Sequence, residues 1–130
     1  MNECKFIGNL TRDPELSQTD KGVPVVNFTL AVNRKYVNKG GETIKDCDFI
    51  RCEAWDTGAE TIADGFRKGE KMFIEASLRS DSWVDETGKK QHRNKFRVNH
   101  FYKVVPVFNR VNDGETVEGQ RYNPDQERTM

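Results

Sequence analysis

The chain has 130 residues, of which 35% are hydrophobic and 32% charged, and its 21 Lys and Arg balance its 21 Asp and Glu. This length fits one domain, and the eight Phe, three Tyr and two Trp argue against disorder despite a mean hydropathy of -0.84. A net charge of zero disfavours nucleic-acid binding through bulk positive charge, so any such site requires local clusters of cations.

No apolar run approaches the ~20 residues that a membrane span needs. The first five residues include Glu3, and no apolar stretch follows them, so a secretory signal is not expected. The three cysteines, Cys4, Cys47 and Cys52, do not form the even set of a disulfide framework. These features predict a reducing, cytoplasmic location and no association with membranes.

Five segments alternate apolar and polar residues with the period of strands that bury one face. They are residues 4–10, 26–33, 50–54, 72–78 and 96–104. Gly8 inside the first segment predicts a bulge or a sharp bend. Tyr36 is expected to begin the loop after the second strand, and Trp83 to lie in a long polar hairpin over residues 79–95.

One short helix is predicted between the third and fourth strands. Thr57 and Glu60 fit a capping box, and the apolar residues between 59 and 66 follow helical spacing. Lys68 and Gly69 are expected to supply a basic last turn and a glycine stop.

This order of elements predicts an all-β fold, a five-stranded OB-fold Greek-key barrel with one short helix between strands 3 and 4. An immunoglobulin-like sandwich is the alternative, but it needs about seven strands and gives no reason for the helix. The barrel domain is expected over residues 1–109. Residues 110–130 contain few apolar residues and are interpreted as a flexible polar tail.

The third predicted strand has an unusual outward face. Ile50, Cys52 and Ala54 form its core face, and the other face carries Phe49, Arg51, Glu53 and Trp55. Two aromatic residues beside an arginine on a solvated face suit the stacking of bases, with the cation meeting a phosphate. The alternative is that Phe49 and Trp55 cover a second small core or a subunit contact.

Further aromatic and basic residues occur together elsewhere. Arg79 lies on the outward face of the fourth strand, Trp83 lies in the hairpin that follows, and Tyr36 has Lys39 nearby. Residues 89–97 contain five basic residues and no acidic one. Together these features predict a groove for a single nucleic-acid strand and not a helix that reads a duplex.

Signals for an enzyme are weak. His100 is expected on the core face of the last strand, and His92 lies in a basic loop. Cys47 and Cys52 fall on opposite faces of a strand, so they are not expected to share a zinc ion. The sequence shows no acid/base constellation and no phosphate-binding glycine motif. We therefore expect no catalytic residue, metal or cofactor, and a nuclease is kept only as a remote alternative.

Several stretches resemble bacterial-type single-stranded DNA-binding proteins, the SSB family. They are FIGNLTRDPEL at residues 6–16, FTLAVNR at 28–34, DFIRC at 48–52, FRKG at 66–69 and IEASLR at 74–79, followed by Trp83. The resemblance covers about residues 4–105 in order. It implies an OB-fold that binds single-stranded DNA in replication, recombination and repair, usually as a homotetramer, with a dimer as the alternative. The small size and atypical tail resemble a bacteriophage or mobile-element member that acts in the bacterial cytoplasm at the nucleoid.

The resemblance also assigns roles to residues. The stacking aromatics of the family fall on Tyr36, Phe49, Trp55 and Trp83. Its basic backbone contacts fall on Lys39, Arg51, Lys68 and Arg79, with Arg67 as a weaker match. An OB-fold module of a primosome or replication assembly, using the aromatic face on protein, is the alternative function.

Three departures from the family pattern qualify these expectations. Asp81 and Ser82 stand where some members place further bases, which could weaken backbone contact. Ile50 stands where some members carry a histidine at the subunit contact. Residues 123–130 lack the acidic tip ending in Pro-Phe that recruits replication and repair enzymes, so that role is not carried over, and contacts with replication or recombination proteins stay open.

Overall fold

The computed structural model describes residues 1–106; the predicted tail over residues 110–130 lies outside the described residues. The elements are β1 (Cys4–Leu10), β2 (Glu15–Gln18), β3 (Pro24–Val37), β4 (Thr43–Trp55), α1 (Asp56–Gly65), β5 (Lys71–Val84) and β6 (Lys90–Lys103). No helix in this part of the chain has the length and apolar character of a membrane span.

The strands close into a barrel. Their order is β1-β5-β6-β4-β3-β2, and an additional pairing of β1 with β3 closes five of them. The predicted OB-fold barrel is confirmed, with one short strand more than expected. Residues 11–14, which include the buried Pro14, separate β2 from β1, and β2 then pairs with the start of β3. The helix therefore lies between β4 and β5 in this numbering.

Alternate residues of the strands build the core. Val26, Phe28 and Leu30 of β3 face Ile74 and its neighbours across the barrel interior, and α1 contributes further apolar side chains. The fully buried members of this cluster include Leu10, Leu30, Ile62, Met72 and Ile74. Burial at ~25 cal/mol per Å² makes this cluster the main stabilising element of the fold.

Gly8 lies at the point where β1 changes partner. It pairs with Met72 of β5, and the next residue, Asn9, also pairs with Ala31 of β3. A Cβ on Gly8 would lie 2.7 Å from the carbonyl oxygen of Ala31. The glycine thus permits a close approach of two backbones, and the bulge or bend expected there is replaced by regular pairing.

Both predicted ends of the helix are wrong. Trp55 is the N-cap, without a side-chain cap hydrogen bond, so Thr57 and Glu60 form no capping box. The chain leaves the helix at Phe66, which is extended and 4% exposed, because burial of this ring ends the helix before Lys68. Gly69, at φ 86°, instead forms the turn that leads into β5.

The long strands extend beyond the predicted segments. Tyr36 and Trp83, both expected in loops, lie near the ends of β3 and β5 in two-stranded ribbons. The β5–β6 ribbon closes at a turn in which Asp85 accepts hydrogen bonds from the backbone N–H groups of Thr87 and Lys89. Tyr36 and Trp83 are therefore held on paired strands and not on loops.

A bulge in β6 overturns the expected position of His100. Ala76 of β5 pairs with Val98 and Glu75 pairs with His100, so Asn99 is the extra residue. The inserted residue inverts the alternation beyond it: Phe101 faces the interior, whereas His100 and Tyr102 are exposed. The prediction of a core histidine is therefore wrong.

Candidate nucleic-acid interface

The pairing of β4, β5 and β6 collects the predicted aromatic and basic residues on one outward surface. Glu53 of β4 pairs with Arg97 of β6, and Lys95 of β6 pairs with Arg79 of β5. Cross-strand pairs point to the same side of a sheet, so their neighbours at every second position share that side. We name this surface the basic aromatic face; it comprises Phe49, Arg51, Glu53, Trp55, Arg79, Asp81, Trp83, Arg93, Lys95 and Arg97.

Phe49 and Arg51 form the most open part of this face. Phe49 is 66% exposed, and its ring borders a shallow pocket that is also lined by Thr11, Arg12, Thr29 and Arg51. A ring this exposed on a β-strand makes few contacts within the monomer. The exposed face of the Phe49 ring is therefore free to stack against a planar group, with the guanidinium of Arg51 beside it.

A groove of about 260 Å³ continues from this pocket along the face. Four cationic side chains line it: Arg12, Arg51, Arg93 and Lys95. Of these four, the sequence singled out only Arg51 as a site residue. A signal for Arg93 and Lys95 was present, because they alternate with Arg97 along β6 and all three therefore share one side of the strand.

Glu53 was expected on a solvated face but is buried. It is 1% exposed, and its carboxylate accepts contacts from Lys95 Nζ at 3.1 Å and Arg97 Nε at 3.3 Å. Because a buried carboxylate needs compensating partners, these two cations are held in place by it. Glu53 thus positions part of the groove wall and has little surface to offer a ligand.

Trp55 is only partly open. The guanidinium of Arg97 lies 5.2 Å from the centre of its ring, and Val25 of β3 is its cross-strand neighbour. Its Nε1 is buried without a hydrogen-bond partner among residues 1–106. The ring is therefore partly covered within the monomer, in contrast to the free ring expected from the sequence.

Trp83 lies at the far end of the same face. It is 43% exposed, and the guanidinium of Arg93 lies 5.4 Å from the centre of its ring. Arg79, four residues earlier on β5, is exposed on the same side. A cation against one side of an indole leaves the exposed part of the ring for stacking.

Tyr36 and Lys39 belong to the β3–β4 ribbon, apart from this arrangement. Tyr36 pairs with Ile44 and lies on the side of the ribbon opposite to that of Phe49, with Arg34 5.6 Å from its ring centre. Lys39 is exposed in the turn. The structure therefore does not bring these two predicted residues onto the basic aromatic face.

The charge of Arg34 is matched locally. Its guanidinium donates to Asp48 at 3.1 Å and to Asp46 at 2.9 Å. The hydrogen bond with Asp48 raises the pKa of Arg34. Two carboxylates thus compete with any phosphate that approaches this cation.

Lys68 lies in the turn after α1. Its backbone N–H donates to Asp13 at 2.7 Å, so the turn is tied to the loop that carries Arg12. Through Arg12 this loop reaches the cationic groove. Lys68 is exposed in this turn, whereas Arg67 donates to the backbone oxygens of Ala63 and Phe66.

The described residues offer little for catalysis. No group of three His, Cys, Asp or Glu side chains is placed to hold a metal ion within residues 1–106. Burial raises the pKa of the Cys52 thiol to about 12, so it stays protonated and is a poor nucleophile. His92 is exposed on the β5–β6 ribbon opposite Ser82.

Comparisons with known proteins identify a family. Residues 1–104 match the model of the single-strand binding protein family. A relative from Listeria monocytogenes named single-stranded DNA-binding protein 2 is 39% identical over 90 residues, which are 69% of this chain and 55% of the relative. Single-stranded DNA-binding protein A of Bacillus subtilis is 37% identical over 90 residues, which are 69% of this chain and 51% of the relative. The chain thus spans about half the length of these curated relatives.

Solved structures show the same fold. The Plasmodium falciparum SSB in complex with ssDNA matches with a TM-score of 0.74 at 19% identity, over 80% of this chain and 95% of the other. A deletion mutant of the single-stranded DNA-binding protein from Thermus aquaticus matches with a TM-score of 0.73 at 20% identity, over 88% of this chain and 64% of the other.

Proposed function

This chain belongs to the single-strand binding protein family, and from that premise we propose that it binds single-stranded DNA without sequence preference. The observation that carries the proposal is Phe49, 66% exposed beside Arg51, at the mouth of a groove lined by four cations. The family is one of binding proteins, which confirms the prediction that the chain is not an enzyme.

Affinity in this proposal comes from stacking and from charge. Unpaired bases stack on Phe49 and on the exposed part of Trp83, at ~1–3 kcal/mol per base. Because each base has a π-face, such stacking does not select a sequence. Duplex DNA hides these faces inside its own stack, so a single strand binds more tightly.

The cations of the groove meet the phosphates. Arg12, Arg51, Arg93 and Lys95 surround the path beside Phe49, and Arg79 adds a further charge. Each phosphate contact releases counterions, so the logarithm of affinity falls with the logarithm of salt by about 0.7 per contact. Lys68, Tyr36 and Lys39 stay predictions from the family resemblance.

Single strands held in this way are kept from re-annealing and from nucleases. This serves replication, recombination and repair, roles that fit the family. The cytoplasmic location and the bacteriophage or mobile-element origin stay predictions from the sequence.

We also propose that the chain forms a homo-oligomer, with a tetramer as the first expectation and a dimer as the second. An exposed apolar row supports a contact between copies: Ile7 of β1, Phe73 of β5 and Tyr102 of β6 are neighbours across three strands. Ile7 is 52% and Tyr102 59% exposed, and the rings of Phe73 and Tyr102 stack at 4.6 Å. A native mass measurement tests this, and a monomer at micromolar concentration would contradict it.

The test of the proposed function is a titration of the protein with a labelled poly-pyrimidine single strand and with a duplex of equal length. We expect saturable binding of the single strand, with quenching of tryptophan fluorescence, and much weaker binding of the duplex. Incubation of the same strand with Mg²⁺ should leave it intact. Equal affinity for both forms would contradict the proposal, and cleavage of the strand would favour a nuclease.

A further inference from the structure

Two carboxylates share one lysine in the middle of the basic aromatic face. Lys95 Nζ lies 2.9 Å from Asp81 Oδ2 and 3.1 Å from Glu53 Oε2. Lys95 also lines the cationic groove. This cation of the groove is thus already paired in the free protein.

The two carboxylates differ in how firmly they are held. The Glu53 side chain is 2% exposed and has Arg97 as a second partner, so it is a fixed part of the wall. The Asp81 side chain is 51% exposed, on the ribbon formed by β5 and β6. Asp81 can therefore leave Lys95 at small cost, whereas Glu53 cannot.

Asp81 also stands in a cationic neighbourhood. Its cross-strand partner on β6 is Arg93, and Arg79 lies two residues before it on the same side of β5. A carboxylate oxygen at 2.9 Å from Lys95 occupies the position that a phosphate oxygen would take to bind the same ammonium.

We propose that Asp81 sets the affinity of this face: its carboxylate holds Lys95 in the free protein and must be displaced by a DNA phosphate. The inference rests on the proposed function and adds an internal competitor to it. The protein then binds single-stranded DNA more weakly, and dissociates from it more readily, than its cations alone would predict.

The ionisation of the pair agrees with this role. The hydrogen bond with Lys95 lowers the pKa of Asp81, and the hydrogen bond with Asp81 raises the pKa of Lys95. Both groups are therefore charged at neutral pH, where a phosphate competes with a full negative charge.

The variant that tests the inference is Asp81→Asn, which keeps the size of the side chain and removes its charge. The matched control is Glu86→Gln, which removes the same charge from the turn of the same hairpin, where Glu86 forms no ion pair within residues 1–106. Binding of a labelled poly-pyrimidine strand is measured for both variants and for the unmodified protein across a range of salt concentrations.

We expect Asp81→Asn to bind roughly two- to fivefold more tightly than Glu86→Gln, the scale of one exposed ion pair. Its salt slope should also be steeper, because in the unmodified protein the carboxylate that a phosphate displaces takes up a cation from solution and offsets part of the counterion release. In a Lys95→Gln background the gain from Asp81→Asn should disappear. If Lys95→Gln does not fold, the salt slopes of the two single variants decide.

The outcomes separate the two proposals. If the unmodified protein binds the strand but Asp81→Asn and Glu86→Gln have the same affinity and salt slope, the role of Asp81 is overturned and the proposed function stands. If neither the unmodified protein nor Asp81→Asn binds single strands, the proposed function fails and the inference falls with it.

Discussion

Replacement of Phe49 separates the binding role of a residue from a structural one. Phe49 is 66% exposed, so only about a third of the residue is buried in the monomer. Complete burial of a Phe side chain contributes about 1.5–3 kcal/mol, so Phe49→Leu should cost at most about 0.5–1 kcal/mol of stability. Loss of one stacked base should cost ~1–3 kcal/mol of binding, which is a factor of roughly 5 to 150 in Kd.

The assay pairs two substitutions at this one position. Phe49→Leu keeps an apolar side chain but has no π-face, whereas Phe49→Tyr keeps the ring. Fluorescence titration with a single strand gives the affinity of each variant, and urea unfolding gives its stability. We expect Phe49→Tyr to bind like the unmodified protein and Phe49→Leu to bind at least fivefold more weakly with nearly unchanged stability. An unchanged affinity of Phe49→Leu, or its unfolding, would refute the reasoning.

Three further predictions concern the scaffold. Glu53→Gln should lower the free energy of unfolding by about 2–3 kcal/mol. This is less than the ~3–5 kcal/mol expected for a fully buried ion pair, because the side chains of Lys95 and Arg97 remain partly exposed. An unchanged urea midpoint would contradict this. Gly8→Ala brings a Cβ to 2.7 Å from a backbone oxygen and should lower Tm, whereas the control Gly65→Ala, with open space around its Cβ, should keep or raise it. Hydrogen bonds led by the Thr87 hydroxyl lower the pKa of Asp85 from 3.8 to about 2. The order that this carboxylate gives the β5–β6 turn should therefore be complete above pH 3.8 and disappear as pH falls through about 2, which an NMR titration of its carboxyl group checks.

The barrel could be predicted because its strands alternate cleanly. Phe28 and Leu30 of β3 and Ile74 of β5 are buried as their period-two pattern indicates. The pattern failed where one residue altered the phase. Asn99 adds a position to β6 and turns His100 outward, and nothing in the local composition marks that insertion.

The predicted ends of the helix were wrong for a different reason. The capping box at Thr57 and the stop at Gly69 are local signals, whereas the helix begins directly from the end of β4 and ends where Phe66 enters the core. Tertiary packing therefore decided both boundaries.

The candidate site was partly predictable. Phe49 and Arg51 stand out in the sequence because an aromatic residue and a cation alternate with core residues. The positions of Tyr36 and Lys95 depend on register: pairing with Ile44 puts Tyr36 on the other side of its ribbon, and pairing with Arg79 brings Lys95 onto the face. A single sequence does not contain that register, so the cations of β6 were seen only as a basic hairpin.

The proposed function depends on the basic aromatic face receiving the DNA strand. The most direct measurement is photocrosslinking of the protein to a single strand carrying 5-iodouracil, with the attached residues identified by mass spectrometry. We predict attachment at Phe49 and Trp83, which are both exposed on this face. Attachment confined to the apolar row of Ile7, Phe73 and Tyr102 would contradict the account.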